Sequence, residues 1–489
     1  MKTDKGSVIL SNFTWRLLER FGAQGVTFLV SIILARVLEP EIYGTIALIT
    51  VVTTILQVFV NSGLGSALIQ KLDADDIDFS TVFYFNFIVC VVLYVLLYFF
   101  SPALARFYNR DELTPIIRTL GLILIISGFK NIQNAYVSRN LLFKKYFFAT
   151  LGGTITAAVI GIGMAYKGFG VWALVAQNLV NQFIDTLILW ITVKWRPKAF
   201  FSFSRLKVLL KYGYKLLFAS LLDTIWNQVR QLIIGKKYSS SDLAFYNKGN
   251  ELPQDVSIAI SSSIDSVLFP VMSKAQESSE EVKRITRRAI KVESFVLWPL
   301  MLGLCACANS VILLLYTGKW LFAVPYLRIF CITYAFYPIH TANLNAIKAL
   351  GRSDIFLKLE VIKKIVNLGL IIGSMWFGVY IMALSALIGS IASQIINSWP
   401  NKRLLNYSYF EQLLDIIPSL ILSIIMAILV LCVELLHLSP SVTLIIQIPL
   451  GMIIYYLGAK VTKNDSLPYL IRIVKHTFTK GRKHSGEGE

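Results

Sequence analysis

The feature that most limits what this chain can fold into is a succession of apolar runs, each about 20 residues long, separated by short basic or Gly- and Pro-containing breaks. They fall at 15–37, 42–66, 80–102, 114–138, 146–166, 170–193, 208–234, 243–271, 289–316, 323–348, 355–377, 379–399, 412–436 and 440–460. A helix rises about 1.5 Å per residue, so each run matches the roughly 30 Å of a bilayer's hydrocarbon core. Backbone polar groups meet no water there, and a helix satisfies them internally. The expectation is an all-α, polytopic membrane protein of about 14 transmembrane helices. Composition agrees: 56% of the 489 residues are hydrophobic and 15% charged, more apolar surface than a soluble chain of this length would bury. The run at 243–271 is the least regular, because Lys248, Glu251, Asp255 and Asp265 interrupt it. A surface loop followed by a half-helix is the competing reading there.

Charge sets the direction of threading. The net charge of +19 resides in short loops between the runs. No isolated basic domain could grip a nucleic-acid backbone, and nucleic acid is excluded as a partner. With a cytoplasmic N-terminus, the segments RNLLFKK (139–145), KWRPKAFFSFSRLK (194–207), KRITRR (283–288), NKR (401–403) and the tail from Lys460 all lie inside. The excess of Lys and Arg on one side therefore predicts cytoplasmic termini. The polar stretch MKTDKGSVILSNFTWR is not expected to be a signal peptide. Cys90, Cys305, Cys307, Cys331 and Cys432 lie in or beside apolar runs and read as small hydrophobes, with neither disulfide framework nor zinc spacing.

An internal repeat organises the runs. The turn LARVLEPEIYGTIAL (34–48) returns as IIGKKYSSSDLAFYN (233–247), with Arg36 answering Lys236 and Tyr43 answering Tyr246. NAYVSRNLLFKK (134–145) is echoed by NAIKALGRSDIFLK (345–358). Two six-helix bundles follow, residues 1–200 and 201–400, then two extra transmembrane helices in 401–461 and a basic cytoplasmic tail, 462–489. Six crossings return a chain to its starting side, so the bundles form a parallel repeat related by an axis along the membrane normal.

The stretches LARVLEPEIYGTIA, NSGLGSALIQK (61–71) and NLNAIKALGRSDIFLKLEVIKK (343–364) resemble the polysaccharide-exporting, Wzx-type branch of the MOP flippase superfamily. The likeness runs to roughly residue 400. It implies a V-shaped pair of bundles with a cationic central cavity, working by alternating access in a bacterial inner membrane. The substrate it implies is an undecaprenyl-diphosphate-linked oligosaccharide, for lipopolysaccharide or exopolysaccharide biosynthesis.

Ionisable groups inside the runs point to the site, because each costs about 2.5 to 3.5 kcal/mol at a helix centre unless it meets water or a partner. Lys215, Asp223, Trp226, Asn227 and Arg230 share one face of the seventh run, and Lys248, Glu251, Asp255, Ser262 and Asp265 nearly share one face of the eighth. Arg16, Arg20, Gln24, Thr27 and Ser31 mark the first run, Lys130 and Asn134 the fourth, and Glu360, Lys363, Lys364 and Asn367 the eleventh. These stripes are expected to line a watery cavity. Arg16, Arg20, Lys130 and Arg230 suit the anionic diphosphate, and Lys248 belongs to the same stripe system. Trp226 suits a sugar face, while Asp223, Glu251 and Asp255 position the cations or take up a proton. Competing readings stand beside these: Arg16, Arg20, Lys363 and Lys364 snorkelling to the interface, and Asp223 with Arg230 as an internal ion pair.

No enzyme constellation is present: His340, His437, His476 and His484 fall in different segments, without a zinc-binding pair, nucleophile elbow or phosphate loop. No cofactor or metal is expected. The partners expected are the lipid-linked oligosaccharide, membrane lipids and a polysaccharide polymerase. Alternatives are a flippase for lipid-linked peptidoglycan precursor, a multidrug exporter of the same superfamily and, in another class, a membrane glycan polymerase or ligase.

Overall fold

The computed structural model describes residues 5–61 and 63–472. Among the described residues there are helices and connecting turns and no strand. In chain order the helices are α1 (Lys5–Val37), α2 (Pro40–Asn61), α3 (Leu64–Gln70), α4 (Asp76–Phe107), α5 (Leu113–Arg139), α6 (Phe143–Tyr166), α7 (Val171–Thr192), α8 (Phe203–Lys237) and α9 (Ser240–Lys274). There follow α10 (Ser279–Ala306), α11 (Ala308–Tyr316), α12 (Val324–Ala335), α13 (Tyr337–Ala349), α14 (Ser353–Ser374), α15 (Val379–Leu404), α16 (Tyr409–Cys432) and α17 (Pro440–Val461).

Every one of the fourteen apolar runs is helical in its central part. Eleven of the resulting segments, among the described residues, are long and apolar enough to cross a membrane, and α1 adds the shorter apolar stretch Gly22–Val37. The runs at 208–234 and 355–377 form α8 and α14, whose charged and polar residues dilute them below that threshold. The fold is therefore all-α and multi-pass. Some runs break where local chemistry demands it. Run 42–66 divides into α2 and α3 at Gly63, which takes a left-handed φ of 66° and whose Cβ, were there one, would lie 2.7 Å from the Gly213 carbonyl. Run 323–348 divides at Phe336, just before Pro338, whose missing N–H suits the first turn of a new helix. The run at 243–271 does not break: α9 is continuous, with Pro253 and Pro270 inside it, and the competing loop reading is set aside.

The chain forms two compact units, residues 1–244 and 245–489. In the first, Phe79, Phe83, Ile132, Leu189, Trp195, Leu206 and Leu209 make one core that joins α4, α5, α7 and α8. Trp195 stacks on Tyr136 and tilts against Phe79. At the start of α4, Asp75 accepts from the backbone N–H groups of Ile77 and Asp78, while Asp78 accepts from that of Asp75, closing a capping box. Arg205 pairs with Asp75 at 2.5 Å, and Lys71 with the buried Asp78 at 2.6 Å.

The two repeated turns meet inside this unit. A Cβ on Gly44 would fall 1.8 Å from the backbone oxygen of Ser240, so only a residue without one lets the α1–α2 turn approach the α8–α9 turn this closely. Lys236 Nζ donates to the Phe107 carbonyl and sits over that ring.

In the second unit α10 is packed by α12, α13 and α16. The last two membrane helices join it through Phe295, Leu422, Met426, Val430 and Tyr455, and the Tyr455 hydroxyl donates to the Phe295 carbonyl at 2.8 Å. A buried set of amides, Asn343, Asn401 and Gln412 with Ser398, ties α13, α15 and α16. Buried networks of this kind favour one packing, although Asn401 Oδ1 is left without a hydrogen-bond partner.

Two outcomes test this packing. Gly44→Ala should destabilise the protein by about 1 to 3 kcal/mol through overpacking against Ser240, whereas Gly25→Ala, with no atom within 4 Å of the added methyl, should leave the melting temperature in detergent unchanged or raised. Arg205 and the capping hydrogen bonds hold the Asp75 carboxyl down to about 2. An unfolded Asp titrates near about 3.9. The stabilisation from Asp75 is thus present above about pH 4 and fades as pH falls toward 2. The melting-temperature gap between wild type and Asp75→Asn should narrow over that same window.

Candidate functional site

The first unit holds a small polar chamber among apolar helices. Lys130, on α5, reaches across to α7, where its Nζ lies 2.5 Å from Asp185 Oδ2 and 3.3 Å from Gln182 Oε1. The pair is largely shielded, with side-chain exposures of 14% and 7%. Gln182 in turn donates to the Ser127 hydroxyl at 2.9 Å, and Asn131 donates to the Val60 carbonyl at 2.7 Å. The space beside them, about 90 Å³, is lined by Gln57, Asn61, Ser127, Lys130, Asn131, Asn134 and Gln182, with Val60. At about 30 Å³ per water molecule that volume corresponds to a few waters or a phosphate-sized group. Asn134 Oδ1, in the lining, and the second oxygen of the Asp185 carboxylate are buried without a hydrogen-bond partner. Such atoms are costly to leave dry.

The periodicity explains the placement. Ser127, Lys130, Asn131 and Asn134 recur at three and four residues and so share one face of α5; Gln182 and Asp185 do the same on α7. Of this group, only Lys130 and Asn134 stood out in the sequence. Asp185 is the lone carboxylate in its apolar run, a signal that a search for a counter-charge to Lys130 would have found.

The α8 stripe is built differently. Between 214 and 233 no residue of α8 is fully buried. Asp223 and Asn227 are exposed, and Asn227 donates to Asp223 Oδ2 at 3.3 Å, one turn apart. Trp226 and Arg230 are half-buried on the same side of the helix. This face lies open rather than folded into the core of its own unit. The side chains of Arg16 and Arg20 lie outside the described residues.

In the second unit Lys248 is held internally: 5% exposed, its Nζ is 2.7 Å from Glu251 Oε2 and 5.1 Å above the Tyr316 ring. Asp255, one turn beyond Glu251, is exposed. Two further carboxylates, one on α9 and one on α10, have different surroundings. Asp265 accepts from Asn345 Nδ2 of α13 at 2.6 Å. Glu293, from α10, is fully buried and accepts from the Ser261 hydroxyl at 2.5 Å, while its Oε2 has no hydrogen-bond partner. Glu293 went unassigned, because a lone acid one turn into an apolar run, just after a basic segment, looks like a solvated one. Lys363 pairs with Glu360 at 2.6 Å, one turn away on its own helix. Among the described residues no group of three or more His, Cys, Asp or Glu side chains is arranged to hold a metal ion.

Comparison with known proteins adds the lineage. The family profile described as "Polysaccharide biosynthesis protein" matches residues 33–325, more than half of the chain. The chain belongs to this family. It is 23% identical to the succinoglycan biosynthesis transport protein ExoT of Rhizobium meliloti (strain 1021) over 367 residues, 75% of this chain and 74% of that one. It is 22% identical to the lipopolysaccharide biosynthesis protein WzxC of Escherichia coli (strain K12) over 434 residues, 85% and 86% of the two chains. Among solved structures, the lipid II flippase MurJ in an inward closed conformation superposes with a TM-score of 0.75 at 16% identity, covering 92% of this chain and 99% of that chain. The likeness to MurJ is one of fold. Family and fold together bear out the resemblance drawn from the three sequence stretches.

The Lys130–Asp185 pair yields a test that separates structure from function. Removing one member leaves a shielded charge unpaired and should cost about 3 to 5 kcal/mol, less whatever water in the chamber restores. Replacing both, Lys130→Met with Asp185→Leu, should recover most of that stability in a double-mutant cycle. Activity should stay lost in the double variant; recovered activity would make the pair purely structural.

Proposed function

We propose that this protein moves an undecaprenyl-diphosphate-linked oligosaccharide across the bacterial inner membrane by alternating access, for assembly of a surface or exported polysaccharide. The observation that carries the reading is a membrane-spanning chain of the polysaccharide biosynthesis family that keeps a polar chamber, with the Lys130–Asp185 pair at its edge, inside an apolar bundle. A scaffold gains nothing from that arrangement, since an apolar core would hold the helices together as well or better. The named relatives act in succinoglycan and lipopolysaccharide biosynthesis, which favours a glycan for export over a peptidoglycan precursor or a drug. The protein is a carrier and not a catalyst, and neither polymerase nor ligase chemistry is assigned to it.

The division of labour follows from chemistry. Lys130, in a chamber of phosphate size, meets the diphosphate when a charged oxygen competes with Asp185 for its ammonium. Arg230, with Arg16 and Arg20, supplies further positive charge along the path, and Trp226 offers an aromatic face to a sugar ring. The open α8 face, Asp223 included, accepts hydroxyl hydrogen bonds. Lys248, Glu251 and Asp255 form the matching polar stripe on α9, where the carboxylates take up a proton or hold the lysine in place. The polyprenyl tail stays in lipid throughout. The reading takes fourteen crossings, counting α1, α8 and α14, with both termini on the cytoplasmic side that the basic loops favour, and the two bundles of the repeat as the moving bodies. A polysaccharide polymerase consuming the product outside is the natural partner.

Deletion of the gene should cause undecaprenyl-linked oligosaccharide to accumulate on the cytoplasmic face, with loss of the displayed glycan. Arg230→Ala and Asp223→Ala, expressed at wild-type levels, should each fail to restore more than a small fraction of display. Normal glycan display in the deletion strain would overturn the proposal.

A further inference from the structure

The second unit carries a larger basic cavity, lined by none of the residues assigned to the substrate. Arg284, Arg287, Arg288 and Lys291 recur at three and four residues, which puts them on one face of the first turns of α10. They border a cavity of about 290 Å³ whose opposite wall is the helical stretch 466–472, through Tyr469, with Asp465 just before it. Immediately after this face α10 turns apolar, SFVLWPLMLGLCA, so the cavity sits where the helix passes from the aqueous side into the membrane. It is the side that the KRITRR segment assigns to the cytoplasm.

The four cations are not equally committed. Arg287 is fixed by Asp415 of α16, Nε at 2.7 Å, and Lys291 approaches the same carboxylate at 3.2 Å. One carboxylate thus serves two cations. Arg284 pairs at 3.1 Å with Glu281, and both are largely exposed, a contact worth little in water. Among the described residues no carboxylate pairs with Arg288; its guanidinium lies 3.8 Å from the centre of the Tyr469 ring. Stacking orients the fork and leaves its N–H groups unspent, the arrangement that suits an oxyanion. Against these stands Asp465 on the rim, which disfavours a doubly charged ligand more than a singly charged one.

We infer that this cavity binds the phosphodiester headgroup of an anionic glycerophospholipid, with Arg288 and Arg284 as its phosphate contacts and the acyl chains lying on apolar flanks beside α10. Basic pockets at the cytoplasmic mouth of membrane helices hold such headgroups by the same combination of charge and depth. A single negative charge fits the local balance, and a headgroup at interfacial depth fits the position. The site is distinct from the Lys130 chamber and does not depend on which glycan is carried.

The experiment is native mass spectrometry of the full-length protein in mild detergent, with phosphatidylglycerol or phosphatidylcholine added at equal concentration. Phosphatidylglycerol should bind in clear preference, and Arg284→Gln with Arg288→Gln should weaken it about 30-fold, roughly fivefold for each basic residue. Arg403→Gln removes a positive charge from an exposed position outside the cavity and should change nothing. Because the two arginines are exposed, the double variant should elute and melt as wild type does; Arg288→Lys, which keeps the charge, should restore part of the binding if it does not. Equal uptake of the two lipids, or wild-type uptake by the double variant, would overturn the inference. So would displacement of the lipid by inorganic phosphate at equal concentration, which would make the ligand free phosphate. None of these results bears on glycan display.

Discussion

The constraint on which the rest depends is that an ionised side chain within a hydrocarbon-spanning bundle must be paired or hydrated. Lys130 with Asp185 and Lys248 with Glu251 each meet it by pairing. The Lys130 chamber meets it with room to spare, since Asn134 and Asp185 each keep a buried oxygen without a protein partner. A bundle optimised for stability alone would have filled that space with methyl groups. That space and the two unpartnered acceptors are what the proposed transport role rests on.

The repeated turns give the fold its second organising contact. Gly44 against Ser240 is an approach of backbone to backbone, made where the α1–α2 and α8–α9 connections face each other. Short connections keep each pair of helices acting as a unit, and a contact that rests on one missing Cβ is specific without being large. The last two membrane helices are anchored on α10 by apolar packing and the Tyr455 hydrogen bond, so they extend the second unit and are not a loose appendage.

Much of the fold could be read from the chain because hydrocarbon thickness imposes one length on every crossing. All fourteen runs are helical, and even the doubtful stretch at 243–271 is one continuous helix, since two prolines bend a membrane helix without ending it when neighbours cover the freed carbonyls. What the runs concealed were the breaks at Gly63, Cys307 and Phe336, which are set by local backbone conformation and not by hydropathy. The site was legible only in part. Stripes identified Lys130, Asp223, Arg230 and Glu251 by face, but a stripe gives no partner across helices. Hence Asp185, Gln182 and Glu293, each the complement of a residue far away in sequence, went unassigned, whereas Glu251, three residues from Lys248, was read as a residue that positions the cations.

The central claim is that the polar chamber serves transport of a diphosphate-linked glycan. Its most direct test is a proteoliposome assay in which a labelled undecaprenyl-diphosphate oligosaccharide starts in the outer leaflet and its loss of access to an external glycosidase is followed. Wild-type protein should protect the glycan progressively, while a correctly folded Lys130→Met, Asp185→Leu double variant should protect it no faster than protein-free vesicles. Equal rates for the wild type and the double variant would contradict the account.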